Sequence, residues 1–369
     1  MRTRIAGFIF VFQSLLLAAH WFIYATWIRF WGMVDPPGLT LLQITVALLA
    51  VSFVASSLLA FRYYSAPVRL FYTVSAVWLG CANYFLLAAC GCWLVYGLAT
   101  LLGMQIASWR MAAIFFGAAI LTGFSGVVNA ARPRVKKISV RLSNLPEAWR
   151  VRTAALVSDL HLGHVRGASF AKKIVRVLAA LRPDVVFLTG DVYDGTAADL
   201  NTLAAPWKEL AAPFGAYFIT GNHESFRDPS GYLSALRSAG MRILNSEKVA
   251  LDGLQVVGVS YRDSVNPDRF AAVLRQAALD RARASILLVH SPHQLAIAAQ
   301  EGISLQLSGH THQGQFFPFT WIVSRIFGPY AYGLHPFREM QVYTTSGAGT
   351  WGPPLRIGSN PEIVLIRFE

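Results

Sequence analysis

The chain has 369 residues, and only 14% of them are charged, whereas soluble domains carry about 25%. Its length allows two domains, and its formal net charge of +13 comes without a basic patch interleaved with aromatic residues and without a nucleic-acid-binding motif. The absence of these features argues against nucleic acid as a partner. The positive charge is then better explained by attraction to anionic lipid headgroups. Cys81, Cys90 and Cys92 all lie in one apolar segment, so the remainder of the chain requires no oxidising compartment.

The scarcity of charge is confined to the first third of the chain. Residues 1–131 hold six basic residues and one acidic residue, which leaves 26 basic and 18 acidic residues for 132–369. Crossing a bilayer takes about 20 apolar residues, and four runs in this third are long enough. The first is too long for a signal peptide and three more follow it, so we predict a transmembrane region of four helices over 1–131. The runs are Ile5–Ile28, Leu39–Phe61, Leu70–Leu101 and Met111–Ala131.

Lysine and arginine near the ends of these runs predict the orientation, because cytoplasmic loops carry an excess of them. The amino terminus, the second connection and the exit into the rest of the chain are more basic than the other two connections. We therefore expect a multi-pass protein of the inner or plasma membrane with its globular part in the cytoplasm. His20 is the only ionisable candidate within a run, which argues against a transporter and favours an anchor. The basic residues that decide the orientation are Arg2, Arg4, Arg62, Arg69, Arg132, Arg134, Lys136 and Lys137.

Beyond the apolar third, a basic linker with a first strand (132–150) precedes a domain (151–369) in which short apolar runs alternate with helical patterns. This alternation predicts a layered α/β domain. The predicted strands are Ile138–Leu142, Thr153–Val157, Val185–Thr189, Ala216–Thr220, Leu254–Val259, Ser285–Val289, Leu305–Leu307, Gln341–Thr345 and Ile363–Arg367. The predicted helices are Phe170–Leu181, Ala197–Ala211, Ser230–Ala239, Asp268–Arg281 and His293–Gln300.

Polar side chains follow five of these strands, at the place where sites form in layered α/β domains. Asp159-Leu160-His161 comes first, and alternate residues of an extended segment share one side, so both polar side chains are directed to one place. The other segments are Gly190-Asp191, Gly221-Asn222-His223-Glu224, His290 and Gly309-His310-Thr311-His312. Carboxylate, imidazole and amide groups without thiolate suit Mn, Fe or Zn, and there are too many of them for one ion. We therefore predict two divalent ions about 3.5–4 Å apart, which would clamp the attacking and leaving oxygens of a phosphoryl group.

These five segments resemble, in order and in local sequence, those of the calcineurin-like metallophosphoesterase family, and the resemblance covers residues 135–369. It implies an α/β metallophosphoesterase domain, layered as an α/β/β/α sandwich, behind the four transmembrane helices. It also implies that a metal-activated water hydrolyses a phosphoric ester. Further segments resemble the bacterial, membrane-associated phosphodiesterase branch of the family; they are Gly314-Gln315, Ser346-Gly347-x-Gly349, Pro353-x-x-Arg356 and Pro361-Glu362.

The family pattern, carried over residue by residue, implies seven metal ligands for two ions. One ion would take Asp159, His161 and His312. The other would take Asn222, His290 and His310, and Asp191 would bridge both.

The same resemblance implies the catalytic groups. His223 would contact the phosphate and help the leaving oxygen depart, and Asp194 would orient this histidine. Asn222 and His164 are candidates for contacting the substrate, His164 because it follows the first ligand loop directly. Gly195 stands where protein phosphatases of the family carry an arginine, which makes a phosphoprotein substrate less expected.

Two further residues of these segments receive supporting roles. We expect Glu224 to support the ligand loops or a helix start, and His293 to cap the helix that follows Pro292. Segment 316–337 is rich in large apolar residues and comes directly after the last ligand loop. One interpretation is a helix buried in the core. Our hypothesis is an apolar lid or membrane-contacting flap that accepts an acyl chain.

The sequence thus favours a membrane-anchored phosphoesterase with two divalent ions. Its expected substrate is a phosphodiester or pyrophosphate, in a lipid or near the membrane. Two alternatives stay open: a tethered phosphatase for a soluble substrate, and a membrane regulator that binds metal and phosphate without turnover.

Overall fold

The computed structural model describes residues 2–32, 35–226 and 228–369, with side chains from residue 6 onward. The charged groups of Arg2 and Arg4, which contribute to the predicted orientation, therefore lie outside the described part. The chain divides into two compact units. One comprises residues 1–128 with 352–355, and the other comprises 129–351 with 356–369.

The first unit contains four long apolar helices, as predicted. Each is long and apolar enough to cross a membrane. Prolines in the first turn of the second and third helices fit there, because those positions have no helical partner for an N–H group. The helices are α1 (Arg2–Trp31), α2 (Pro36–Ala60), α3 (Ala66–Leu101) and α4 (Ser108–Ala130).

The histidine within the apolar helices has both ring nitrogens satisfied. Trp78 Nε1 donates to His20 Nε2 at 2.8 Å, and His20 Nδ1 lies 2.8 Å from the carbonyl oxygen of Leu16. This pairing explains how a polar ring is buried among apolar helices without marking an ion path.

The second unit is built on two six-stranded mixed sheets. The first has the order β1-β12-β2-β3-β4-β5, in which only the β12–β2 pair is antiparallel. The second has the order β10-β11-β9-β8-β7-β6, with antiparallel strands at its two edges. The strands are β1 (Arg134–Val140), β2 (Thr153–Val157), β3 (Val185–Leu188), β4 (Ala216–Phe218), β5 (Arg242–Ile243), β6 (Glu247–Leu251), β7 (Leu254–Gly258), β8 (Ser285–Leu288), β9 (Leu305–Ser308), β10 (Gly333–Phe337), β11 (Met340–Thr344) and β12 (Glu362–Phe368).

The described residues of the second unit form eight α-helices. They are α5 (Ala168–Leu181), α6 (Leu200–Ala204), α7 (Asn222–Ser225), α8 (Ser230–Ser238), α9 (Tyr261–Ser264), α10 (Pro267–Gln276), α11 (Leu295–Gln300) and α12 (Phe319–Phe327). Of these, α5, α6 and α8 pack on the outer face of the first sheet and α10 and α11 on that of the second. The predicted helix Ala197–Ala211 is wrong in length, because Pro206 lacks an N–H group and the chain continues as a 3₁₀ turn over Ala205–Glu209.

Alternation along the strands separates three layers of core. In β2, Leu156 faces the other sheet and packs with residues such as Ile286. Val157 faces outward and packs with Ile174 of α5. On the outer face of the second sheet, Leu287 packs with Leu274 of α10 and with α11. Successive side chains of a strand point to opposite faces, so each sheet serves two cores. The α/β/β/α layering expected from the sequence is confirmed.

Candidate metal centre

Five strands direct their carboxyl ends to one edge of the domain. β2, β3 and β4 are parallel neighbours in the first sheet, and β8 and β9 are parallel neighbours in the second. Parallel neighbours end at the same edge, so the loops that follow them meet there. The residues that meet are Asp159, His161, Asp191, Asn222, His223, His290, His310 and His312.

The backbone of these loops is unusual for residues that carry a Cβ atom. Asp159, His161, Asp191, His310 and His312 have φ angles between 49° and 70°. This left-handed region is uncommon outside glycine, and such conformations cost roughly 1–3 kcal/mol each and cluster at functional sites. The left-handed turns after β2, β3 and β9 therefore indicate a site whose geometry the surrounding fold imposes.

Asp159, His161 and His312 form the first ligand group, and all three are buried. His161 Nε2 and His312 Nε2 are 3.1 Å apart, and His312 Nε2 is 3.5 Å from Asp159 Oδ1. Burial lowers the pKa of both histidines, so their rings are neutral and can offer a lone pair to a cation.

Asn222, His290 and His310 form the second ligand group. Asn222 Oδ1 lies 3.0 Å from His290 Nε2 and 3.0 Å from His310 Nδ1, and these two nitrogens are 3.2 Å apart. His290 Nδ1 lies 2.7 Å from the Thr189 carbonyl oxygen, which fixes the ring with Nε2 toward the other ligands. Burial lowers the pKa of His310 to about 3, so this ring is also neutral. An amide oxygen and two ring nitrogens thus converge on one point.

Asp191 lies between the two groups. Its Oδ2 is 3.2 Å from His290 Nε2 in the second group and 3.8 Å from His161 Nε2 in the first. Its Oδ1 accepts the backbone N–H of His223 at 2.9 Å. Burial alone would raise the pKa of Asp191, but the neighbouring His290 and His223 hold it well below its usual range. The ionised carboxylate is therefore placed to serve both groups at once.

The donor set fits divalent cations. Among the residues that the structure describes, three sets of three candidate ligand atoms occur, and within each set the atoms lie within 4.8 Å of one another. Together the sets comprise imidazole nitrogens and carboxylate oxygens without a thiolate. Such ligands suit Mn, Fe or Zn. The sets are Asp159, His161 and His312; His161, Asp194 and His223; and Asp191, His290 and His310.

His223 lies beside both ligand groups, with Nε2 3.9 Å from Asp191 Oδ2. Its Nδ1 is 2.9 Å from the backbone carbonyl oxygen of Asp194. The Asp194 carboxylate faces a different histidine, with Oδ1 3.6 Å from His161 Nδ1. The main chain of Asp194 thus orients His223, while its carboxylate lies within 4.8 Å of ring nitrogens of both His161 and His223, and orientation of His223 by this carboxylate stays a prediction.

Glu224 supports the loops, as expected, through backbone hydrogen bonds. Its Oε2 accepts the N–H groups of Asp191 at 3.0 Å and Gly221 at 2.8 Å, and its Oε1 accepts that of Tyr193 at 3.0 Å. Burial raises the pKa of this carboxyl to about 7. Glu224 thus holds the loops after β3 and β4 together through hydrogen bonds to their main chain.

His164 is a buried member of the first ligand loop. It is 1% exposed, and its Nδ1 lies 3.1 Å from the hydroxyl oxygen of Thr196. This contact ties the loop after β2 to the loop after β3. Contact of His164 with the substrate stays a prediction.

His293 does not cap a helix, contrary to expectation. α11 begins at Leu295, and Gln294 occupies the capping position. The ring of His293 stacks on Phe327 of α12 instead, with centroids 5.6 Å apart, and its Nε2 lies 3.0 Å from Ser291 Oγ. The left-handed backbone at Gln294 turns the chain before the helix starts and leaves His293 beside the site.

Arg356 received no role from the sequence, yet its guanidinium lies against the first ligand group. Its Nη2 donates to the carbonyl oxygens of Ser346 and Gly349, both at 2.7 Å, and its Nη1 donates to that of His312 at 3.0 Å. The side chain is buried, and burial lowers its pKa to about 9, so it remains charged at neutral pH. Arg356 therefore fastens the segment before β12 to a metal-ligand loop.

Four aromatic rings surround the histidines. The ring of Phe226 lies 4.6 Å and that of Trp351 lies 6.0 Å from the ring of His223, and both side chains are more than half exposed. Tyr261 and Phe327 stand within 6.3 Å of the histidines in the second ligand group. The rim of the site can therefore contact an apolar or aromatic part of a ligand.

Comparisons with known proteins agree with this geometry. Residues 153–314 match the family model described as calcineurin-like phosphoesterase. The chain is 35% identical over 264 residues to a transmembrane protein with metallophosphoesterase domain from Danio rerio, covering 65% of this chain and 59% of that protein. It is 31% identical over 259 residues to an uncharacterized metallophosphoesterase from Aquifex aeolicus, covering 68% of this chain and 97% of that protein.

A further bacterial relative is similar over a comparable share of this chain. An uncharacterized metallophosphoesterase from Helicobacter pylori is 32% identical over 245 residues, covering 64% of both proteins. The chain thus spans less than two thirds of the length of the Danio rerio and Helicobacter pylori relatives.

Proposed function

Since this chain belongs to the calcineurin-like metallophosphoesterase family, we propose that it is a membrane-anchored phosphoesterase with two divalent ions. Its proposed substrate is a phosphodiester or pyrophosphate in a lipid or close to the membrane. The observation that carries the proposal is the position of Asp191, whose carboxylate lies between two groups of candidate ligands.

The residues divide into two ligand sets and one shared carboxylate. Asp159, His161 and His312 would hold one ion, and Asn222, His290 and His310 would hold the other, with Asp191 common to both. Divalent cations bound there would neutralise charge on the phosphoryl oxygens and activate water for attack on phosphorus.

His223 is the proposed proton donor to the leaving oxygen. Its Nδ1–H is held by the Asp194 carbonyl, so Nε2 is left on the side of the ring that faces Asp191 and the ligand groups. Because Nδ1 already carries a proton, Nε2 can donate only from the protonated ring, which becomes neutral as its proton passes to a leaving alkoxide or phosphate oxygen. Burial lowers the pKa of His223, whereas the neighbouring Asp191 and Asp194 favour the protonated ring. A well-placed proton donor contributes about 10²–10⁴ in rate.

Two features support a diester near the membrane over a phosphoprotein. Gly195 follows Asp194 where protein phosphatases of the family carry an arginine. Phe226 and Trp351 offer apolar surface beside His223 for the second ester group, which a phosphate monoester lacks. The basic exit after α4 supports a site on the cytoplasmic side.

Hydrolysis by the purified full chain tests the proposal. After chelation and addition of Mn²⁺, we expect bis(4-nitrophenyl) phosphate to be cleaved in preference to 4-nitrophenyl phosphate. His223→Ala should lower the rate by about 10²–10⁴, whereas His335→Ala, in β10 outside the ligand groups, should not. Preference for the monoester would contradict the diester assignment. No metal-dependent turnover of either ester would favour a binding regulator.

A further inference from the structure

α12 presents an apolar face that the described part of the domain leaves open. None of its nine residues is buried, and Phe319, Ile322 and Ile326 are 46%, 39% and 68% exposed. Residues spaced by three and four lie on one side of a helix, so these three side chains form a continuous stripe. The interpretation of this segment as a helix buried in the core is therefore wrong. An exposed apolar stripe of this kind indicates an interaction surface.

Two exposed side chains of the same helix suit a lipid interface: Arg325 flanks the stripe, and Trp321 lies further round the helix, toward Ser324. Trp321 is 56% exposed, and the guanidinium of Arg325 lies 5.3 Å from the centre of its ring. Tryptophan is enriched at the headgroup level of membranes, and arginine keeps its charge in the headgroup region while its stem lies on apolar surface. The opposite side of the helix carries Thr320 and Ser324. This distribution is typical of a helix that lies in the membrane interface.

Hydrogen bonds within the globular unit tie the start of α12 to the end of α4. The side-chain amide of Asn129, the penultimate residue of α4, donates to the carbonyl oxygens of Arg356 at 3.1 Å and Ser359 at 3.0 Å. Ser359 Oγ donates in turn to the carbonyl oxygen of Gln315 at 2.8 Å. α12 begins at Phe319, four residues further on. These hydrogen bonds therefore connect the segment before α12 with residue 129, the first residue of the same unit.

The other end of α12 reaches the metal centre. The ring of Phe327 stacks on His293, and its centroid lies 6.3 Å from that of His310, with the two rings nearly perpendicular. Nine helical residues span about 13 Å, so one short helix connects the open stripe with a predicted metal ligand.

We propose that α12 docks into the headgroup and upper acyl region of the bilayer that holds the apolar helices, with a preference for anionic lipid. Docking places the rim of the metal centre at headgroup level. A phosphoester that stays in the leaflet can then reach the candidate metal ligands. This consequence rests on the proposed function, whereas the docking of α12 does not depend on it.

Photocrosslinking of the full chain in vesicles of phosphatidylcholine and phosphatidylglycerol tests the docking directly. The photoreactive residue p-benzoylphenylalanine replaces Ile326 on the stripe or, as a matched control, Ser324 on the opposite side. We expect lipid adducts at position 326 at least tenfold above those at position 324, and more in vesicles with anionic lipid. Adducts with a second copy of the chain, or lipid adducts equal at both positions, would overturn the proposal.

Turnover provides the second readout. Ile326→Glu should lower the ratio of vesicle-bound to soluble phosphodiester hydrolysis at least tenfold, while Ser324→Glu, with the same added charge, should leave it unchanged. An equal ratio in both variants would overturn the inference that docking of α12 brings membrane-bound phosphoesters to the metal centre. If the wild-type chain hydrolyses neither substrate, the proposed function fails, and the crosslinking result still decides whether α12 docks.

Discussion

His223 Nδ1 lies 2.9 Å from the backbone carbonyl oxygen of Asp194. The carboxylate of the same residue is 3.6 Å from Nδ1 of His161, a predicted metal ligand. One residue therefore serves two histidines through different atoms. Its main chain orients the proposed proton donor, and its side chain supports the first ligand group.

Asp194→Asn should consequently weaken metal binding more than it slows the chemical step. The backbone carbonyl that orients His223 is retained, while the charge opposite His161 is lost. Removing such a supporting partner typically costs about 10–100-fold in metal affinity. We expect the Mn²⁺ concentration for half-maximal activity to rise by that factor, with kcat at saturating Mn²⁺ nearly restored. A large loss of kcat that added metal does not recover would contradict this division of roles.

Arg356→Gln should destabilise the domain and loosen the first ligand group together. The substitution leaves the carbonyl oxygens of Ser346, Gly349 and His312 without their buried donor, and an unsatisfied buried group costs about 1–3 kcal/mol. Chemical unfolding should show a loss of about that size or more, and Mn²⁺ affinity should fall. Arg338→Gln, at the exposed turn between β10 and β11, is the control and should change stability by less than about 0.5 kcal/mol.

Gly347→Ala should displace Asp159. A Cβ atom at Gly347 would lie 2.7 Å from Asp159 Cβ, and the residue has a φ of +79°. Gly240 has a similar φ of +87° with nothing within 4 Å, so Gly240→Ala carries the backbone strain alone. Both variants should lose about 1–2 kcal/mol of stability. Bound metal, measured by elemental analysis, should fall in Gly347→Ala only. Equal metal content in the two variants would show that Asp159 does not depend on this close approach.

The convergence of the candidate ligands could be foreseen from the sequence because each lies within four residues of the end of an apolar strand, and the ends of parallel strands meet at one edge of a sheet. The loops after β2, β3, β4, β8 and β9 illustrate this, and Asp191 comes to lie between two ligand groups as the family pattern implies. The residue types at these strand ends were therefore sufficient to predict a metal site.

Contacts that depend on distant parts of the chain could not be foreseen. Arg356 is 44 residues beyond His312, and nothing in its neighbourhood signals that it is buried. β6 and β10 are antiparallel edge strands with partly exposed patterns, so their apolar alternation is weak. The apolar composition of α12 suited either a core or a surface, and only packing distinguishes them.

The predicted orientation can be tested with an introduced cysteine, because the globular part has none of its own. Val151 is 85% exposed and lies just before β2. We expect Val151→Cys to react with a membrane-impermeant maleimide only after cells are permeabilised, since the basic ends of the apolar helices favour the cytoplasmic side. Labelling of intact cells would show that the globular part lies outside the cytoplasm, the opposite of the predicted orientation, and would leave the proposed metal chemistry unaffected.

The number of metal ions bound at full activity tests the central claim most directly. Metal-free full chain is titrated with Mn²⁺, and bound Mn per chain is measured beside the hydrolysis of bis(4-nitrophenyl) phosphate. The arrangement of two ligand groups around Asp191 predicts no activity without metal and saturation at two ions per chain. Full activity in the metal-free chain, or saturation of activity at a single bound ion, would contradict it.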